Sequence, residues 1–433
     1  MESIDTLITA RWVIPIEPGG CVLDDHAVAV DRGRIVAILP AQRAREHFSP
    51  RETLDRPSHA LLPGFVNTHA RAAMTLLRGA AESGTFVDWL TRQIRPLEQR
   101  WADAEYVRDG TELAIADMLT SGTTCFADMH LFPEVSAQTA SALRIRACIG
   151  LPVADAPTLW AGSVDEYLKK GLDLRDEYRD DPLITTALAP QLAEVSDATL
   201  VRARRAADEV ELPVIVRATP DSTATAQALL DRLEEVGLLS PLLTAVHAPK
   251  LGESQIERLA SAGASIARCP RSSLKLGLGA HSAAGLMARG VNVALGTDAA
   301  ACSNDLSMLE EMRTAALLER GLFPSATAIS AHEWLRSATL NGARALGLNE
   351  VIGSLVAGKW ADLCCIDLAR AHTQPVYDPA AQILFAASRD QVSDVWVAGR
   401  HLLQDGQLTH LDGDDVLRRA ASWRDRIAGS LQS

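Results

Sequence analysis

The chain has 433 residues, 47% of them hydrophobic and 22% charged, with a formal net charge of −13. That balance is ordinary for a soluble globular protein, and net acidity without a long basic run argues against nucleic-acid binding. No window approaches the roughly 20 consecutive apolar residues of a membrane-spanning helix.

The chain starts MESIDTLITARWVIPIEP, with acidic residues where a signal peptide carries basic ones. The seven cysteines (Cys21, Cys125, Cys148, Cys269, Cys302, Cys364 and Cys365) are scattered and form no C-x-x-C pair. Both features point to a reducing, cytoplasmic setting.

Residues 3–60 hold short alternating apolar stretches broken at Gly19-Gly20 and Asp31-Arg32-Gly33, the pattern of β-hairpins. From Leu61 the pattern changes. Short β-branched runs (GTTCFADM, RIRACIGL, LITTALAP, LPVIVRA, LLTAVHA, ASIARCP and VNVALGTD) alternate with longer helical stretches such as SQIERLASAG and LEEMRTAALLERG. That alternation predicts parallel strands joined by crossover helices, an α/β barrel of about 250 residues. After Gly353, IGSLVAGKWADLCCIDL and SDVWVAGRHLLQDGQLT read again as strands, and Asp414–Leu431 as an amphipathic helix. If Cys364 and Cys365 lie on a strand they point to opposite faces. The expected architecture is a TIM-like (β/α)8 barrel over 61–356 and a small discontinuous β-sandwich domain from 1–60 and 357–433.

Several segments carry a family resemblance. LLPGFVNTHARAAMTLLRG, SATLNGARALGL, IGSLVAGKWADLCCIDL and DPAAQILFAASRDQVSDVWVAGR resemble the amidohydrolase superfamily. Within it they are most similar to the methylthioadenosine/S-adenosylhomocysteine deaminases and their triazine-hydrolase relatives. The resemblance runs nearly the full length. It implies hydrolytic deamination of an adenosine-type nucleoside at zinc, held by His-x-His after the first barrel strand, a His after the fifth and an Asp after the eighth. It also implies a proton-passing Glu beside the fifth-strand His, a water-activating His after the sixth strand and, by analogy, a homodimer.

Matched residue by residue, His69 and Asp298 stand at metal-ligand positions and His247 at the water-activating position. The other two ligand positions hold Arg71 and Arg217, and the Glu position holds Pro220. Pro190 stands where a substrate-contacting His is found, Arg268 replaces another His, and Ser273 replaces an Asn. Trp89 and Glu98 match positions near the substrate entrance, although Trp89 also reads as a packing residue. His130 reads as a strand-end or pocket residue, and Asp128 as a strand cap. Asn304 and Asp305 fit either pocket shaping or a dimer contact. His281, His332, His372, His401 and His410 read as surface residues.

A guanidinium stays protonated and has no lone pair for a metal. His247 could join His69 and Asp298 as a three-donor set. Two arginines at about 5 Å would each oppose a divalent ion by roughly 6–7 kcal/mol at an effective dielectric near 20, against about 10–16 kcal/mol for a structural zinc site. The expectation is therefore no tightly bound zinc, with Arg71 or Arg217 pairing Asp298 in a bidentate fork. Clustered guanidiniums also suit a small anionic ligand such as a carboxylate or phosphate. Drift is the competing reading, because Pro190 and Pro220 add no binding group. The leading expectation is a non-catalytic or repurposed small-ligand-binding homologue. The alternative is an active hydrolase or deaminase acting on a C–N bond of a nucleoside-like or triazine-like heterocycle with an atypical site.

Overall fold

A computed structural model describes residues 1–82, 86–218, 223–249, 251–324 and 328–431. Two eight-stranded sheets organise them. The first draws strands from both ends of the chain: β1 (Glu2–Val13), β2 (Leu23–Asp31), β3 (Arg34–Pro40) and β4 (Phe48–Pro63). The second is wholly parallel where its register is defined, from β5 (Phe65–Ala70) through β6 (Thr123–Asp128), β7 (Arg146–Val153), β8 (Ile184–Pro190), β9 (Val214–Ala218), β10 (Leu243–His247) and β11 (Ser265–Arg268) to β12 (Asn292–Leu295). The chain then returns to the first sheet with β13 (Leu363–Asp367), β14 (Val392–Val397), β15 (Arg400–Gln404) and β16 (Gln407–Leu408).

In the first sheet β1 forms the expected hairpin with β2 but pairs in parallel with β4. The helix Ala41–His47 makes that crossover and was not apparent in the sequence. β4 pairs antiparallel with β13, so the two ends of the chain share one ladder. Cys364 and Cys365 sit on β13 in two different apolar clusters, as alternation along a strand requires.

The second sheet is a TIM-like barrel. Every residue of β5, β6 and β7 is buried, the pattern of strands covered on both faces. The ring closes where β12 meets β5. Thr68 donates Oγ1–H to Leu295 O at 2.7 Å. The amides of Thr297 and Asp298 both donate to His69 O, at 3.1 and 2.9 Å. Gly296 makes this approach feasible, since a Cβ there would lie 2.7 Å from the His69 nitrogen.

A buried ion pair ties the barrel to the other sheet. Arg146 of β7 donates from Nε and Nη2 to the Asp362 carboxylate at 2.8 and 3.1 Å, and from Nη1 to Pro182 O at 2.6 Å. The helix Gly413–Leu431 closes against the helix Ala104–Leu119, where the Trp423 indole donates to Asp109 at 2.9 Å.

Candidate active site

Closing the barrel brings three strand ends together. His69 is the penultimate residue of β5, His247 ends β10, and Asp298 follows β12. His247 (φ 67°) and Asp298 (φ 58°) both adopt the left-handed backbone conformation. Strain of this kind in non-glycine residues is retained where the surroundings aim a side chain for use. His69 Nε2 lies 3.4 Å from Asp298 Oδ1, and His247 Nε2 lies 3.3 Å from Asp298 Oδ2. All three side chains are buried, and their candidate ligand atoms fall within 4.8 Å of one another. On its far side His247 Nδ1 meets Ser273 Oγ at 3.2 Å, which orients the ring.

The charge state of the centre follows from its burial. Burial alone raises the pKa of Asp298, but Arg217 and the two imidazoles outweigh it and hold the carboxyl well below its ordinary range. Burial pushes His247 down to about 4 despite Asp298 nearby, so its ring is neutral near pH 7.

The arginines do not form the expected bidentate fork on Asp298. Arg71 turns to Glu98, donating from Nη2 to Oε1 at 2.9 Å, and His130 Nε2 meets the same oxygen at 3.2 Å. An Arg has the reach to leave its strand end for an acid, so Arg71 is paired away from the centre. Burial works against ionisation of Glu98, yet Arg71 and His130 bring its pKa down to about 2. Arg217 stays closer to the centre, with Nη2 3.8 Å from Asp298 Oδ2, an ion pair through one nitrogen and beyond hydrogen-bond range. Its guanidinium carbon lies 5.5 Å from the Phe86 ring centroid.

Among the described residues, Trp89, Pro190 and Arg268 make no hydrogen bond or ion pair with these three side chains. Trp89 is buried in a satellite apolar cluster and donates its indole N–H to Ala81 O at 3.1 Å. Pro190 ends β8 and is buried. Arg268 ends β11, donates from Nη2 to His281 O at 2.6 Å, and lines a small cavity with His247, Ser273 and His281. Pro220 lies outside the described residues. Asp128 does more than cap its strand, because Oδ1 accepts the Ala72 amide at 2.8 Å and pins the chain just after Arg71. His401, expected at the surface, stacks on Trp396 at 4.3 Å and reaches Asp394 at 3.0 Å. Sequence reasoning passed over Phe86, since a lone aromatic outside a strand gives no signal.

A divalent cation fits the donor set. Among the described residues, His69 Nδ1 and Nε2, His247 Nε2 and Asp298 Oδ2 are buried and make no hydrogen bond, and unsatisfied buried acceptors are unusual. Two imidazoles and a carboxylate are a known three-ligand combination for catalytic zinc. The opposing feature is Arg217, whose positive charge any cation there would face.

The amidohydrolase family model matches residues 60–402. The chain is 41% identical to the 5-methylthioadenosine/S-adenosylhomocysteine deaminase of Teredinibacter turnerae, over 98% of each chain. The corresponding enzyme of Saccharophagus degradans is 36% identical, over 99% of this chain and 98% of its own length. A crystal structure of an adenosine deaminase from Xanthomonas campestris with bound zinc superposes with a TM-score of 0.97 at 44% identity, covering 99% of each chain. The atrazine chlorohydrolase of Arthrobacter aurescens shares the fold at a TM-score of 0.90 and 23% identity, covering 97% of this chain and all of its own. By sequence over nearly its whole length and by the barrel that carries the strand-end centre, the chain belongs to the amidohydrolase family.

Proposed function

We propose that the chain hydrolyses the exocyclic C–N bond of an adenosine-type heterocycle at a reduced centre of His69, His247 and Asp298. One observation carries the reading: four unsatisfied buried polar atoms of these residues cluster at the barrel's strand ends. Full-length likeness to named deaminases supports the substrate class.

His69, His247 and Asp298 would hold a divalent ion, which when bound supplies Lewis-acid charge that eases deprotonation of water. The chain's own residues account for the rest. Asp298, anionic across the working range, accepts a proton at Oδ2. His247 is neutral and has Nδ1 occupied by Ser273, so Nε2 is the atom it offers the ion, and the proton held by Asp298 returns to the departing amino group, which leaves as ammonia. Glu98 is a fixed anion whose Oε1 is taken by Arg71 and His130, leaving its second oxygen to accept from a ligand N–H.

The test is an ultraviolet assay for deamination of adenosine and methylthioadenosine on protein supplied with Zn²⁺. Metal-dependent turnover that Asp298→Asn abolishes is the expected result.

A second reading, non-catalytic binding of the same ligand class, is favoured by Arg217, whose charge 3.8 Å from Asp298 takes over part of a cation's role. A flat assay together with a nucleoside-dependent rise in Tm selects it.

A further inference from the structure

We propose that Arg217 is a specificity residue that receives an acidic group of the ligand, a carboxylate or phosphate, beside the His69–His247–Asp298 centre. The proposal deepens the hydrolase reading by naming the substrate class; it rests on that reading for the heterocycle and not for the anion.

Arg217 lies near the C-terminal end of β9, in register with Val246, one residue before His247. That register places its guanidinium beside the centre, and the 3.8 Å approach to Asp298 confirms the placement. The two other arginines that replace family histidines have found acceptors, Arg71 on Glu98 and Arg268 on His281 O. Arg217 has not. Its Nε is buried without a partner, and among the described residues no oxygen accepts a hydrogen bond from it. A guanidinium carries five donors in a planar fork and forms strong, often bidentate bonds to oxyanions. Leaving a buried charged donor unmade is more costly than leaving a neutral one. Phe86 packs beside the guanidinium, which stays 20% exposed and so open to a ligand entering the barrel mouth.

Charge balance points the same way. Arg71 and Arg217 face Glu98 and Asp298, which sum to zero. A divalent ion in the centre adds two positive charges. A ligand carboxylate beside Arg217 would offset one of them and a phosphate up to about two, whereas a neutral nucleoside would offset none. An anion held by Arg217 would also weaken the repulsion that its guanidinium exerts on a cation at the centre. His at this position would ligate the metal; Arg cannot, but it can hold an anion next to it.

The test uses isothermal titration calorimetry and thermal shift on the full chain. The probes are inorganic phosphate, acetate, adenosine and adenosine 5′-monophosphate. Each is run with Zn²⁺ and with a chelator, so that anion binding through the metal is separated from binding through the guanidinium. At least one oxyanion, phosphate or acetate, should bind the wild-type protein, and the choice between them identifies the acid. Adenosine 5′-monophosphate should bind at least tenfold tighter than adenosine if that acid is phosphate. Arg217→Gln should weaken oxyanion binding at least tenfold in both conditions, and Arg217→Lys should restore part of it. Circular dichroism and Tm of the two variants establish that each is folded, and the Lys variant keeps the test valid if the Gln variant is not. Oxyanion affinity equal in wild type and both variants, or no oxyanion binding by wild type, overturns the proposal. Arg217-dependent anion binding without nucleoside turnover keeps this site and removes the hydrolase reading. Turnover without Arg217-dependent anion binding does the reverse.

Discussion

Replacing Arg71 by Gln removes the guanidinium that holds Glu98 ionised inside the barrel mouth. The carboxyl ordinarily titrates near 4.5 and here near 2. A difference of about 2.5 pH units corresponds to about 3 kcal/mol of folding stability at neutral pH, at about 1.36 kcal/mol per unit. The sign follows from the direction of the shift. A carboxyl whose folded pKa is depressed contributes stability that is complete above its unfolded value and is lost as pH falls toward the folded one. At pH 3 less than half of the contribution remains by the same relation. Arg71 is the largest of the influences that lower Glu98, with His130 next, so Arg71→Gln should remove most of the effect. Urea denaturation at pH 7 should show the variant less stable by up to about 3 kcal/mol, and at pH 3 by no more than about half of that. A gap that is the same at both pH values would refute the linkage, and a gap below about 0.5 kcal/mol at pH 7 would show that Arg71 does little for Glu98.

Three further outcomes follow from other parts of the structure. Arg217→Gln should tighten Zn²⁺ binding at least tenfold in a competition assay with a chelating dye, because a unit charge about 5 Å from a divalent ion opposes it by at most about 6–7 kcal/mol before solvent screening; unchanged affinity would mean that Arg217 swings clear of the centre. Arg146→Ala leaves Asp362 buried with its main partner gone and should lower unfolding free energy by about 3–5 kcal/mol in urea denaturation, whereas a loss under 1 kcal/mol would show the pair to be replaceable. Gly296→Ala places a methyl 2.7 Å from the His69 nitrogen; calorimetry should then show weaker Zn²⁺ binding alongside a stability loss of about 1–3 kcal/mol, and wild-type metal affinity would show that the barrel seam can relax without moving His69.

Much of the architecture was legible in the chain. Seven buried β-branched runs separated by helical patterns, with a shared strand signature at each end, suffice for a barrel and a second sheet built from both termini. Local residue types carry that information, since strand and helix periods are set by backbone geometry alone. The parallel pairing of β1 with β4 was not legible, because it depends on the short helix between them. At the site, the motif positions identified His69, His247 and Asp298 and showed that Arg71 and Arg217 are not metal ligands. The partners of the two arginines came only from the folded molecule. Arg71 and Arg217 have the same side chain, yet one lies against Glu98 and the other against Asp298 and Phe86. A long flexible cation settles on whichever acid the closed barrel brings within reach, and that distance is a property of the packed strands rather than of any local segment.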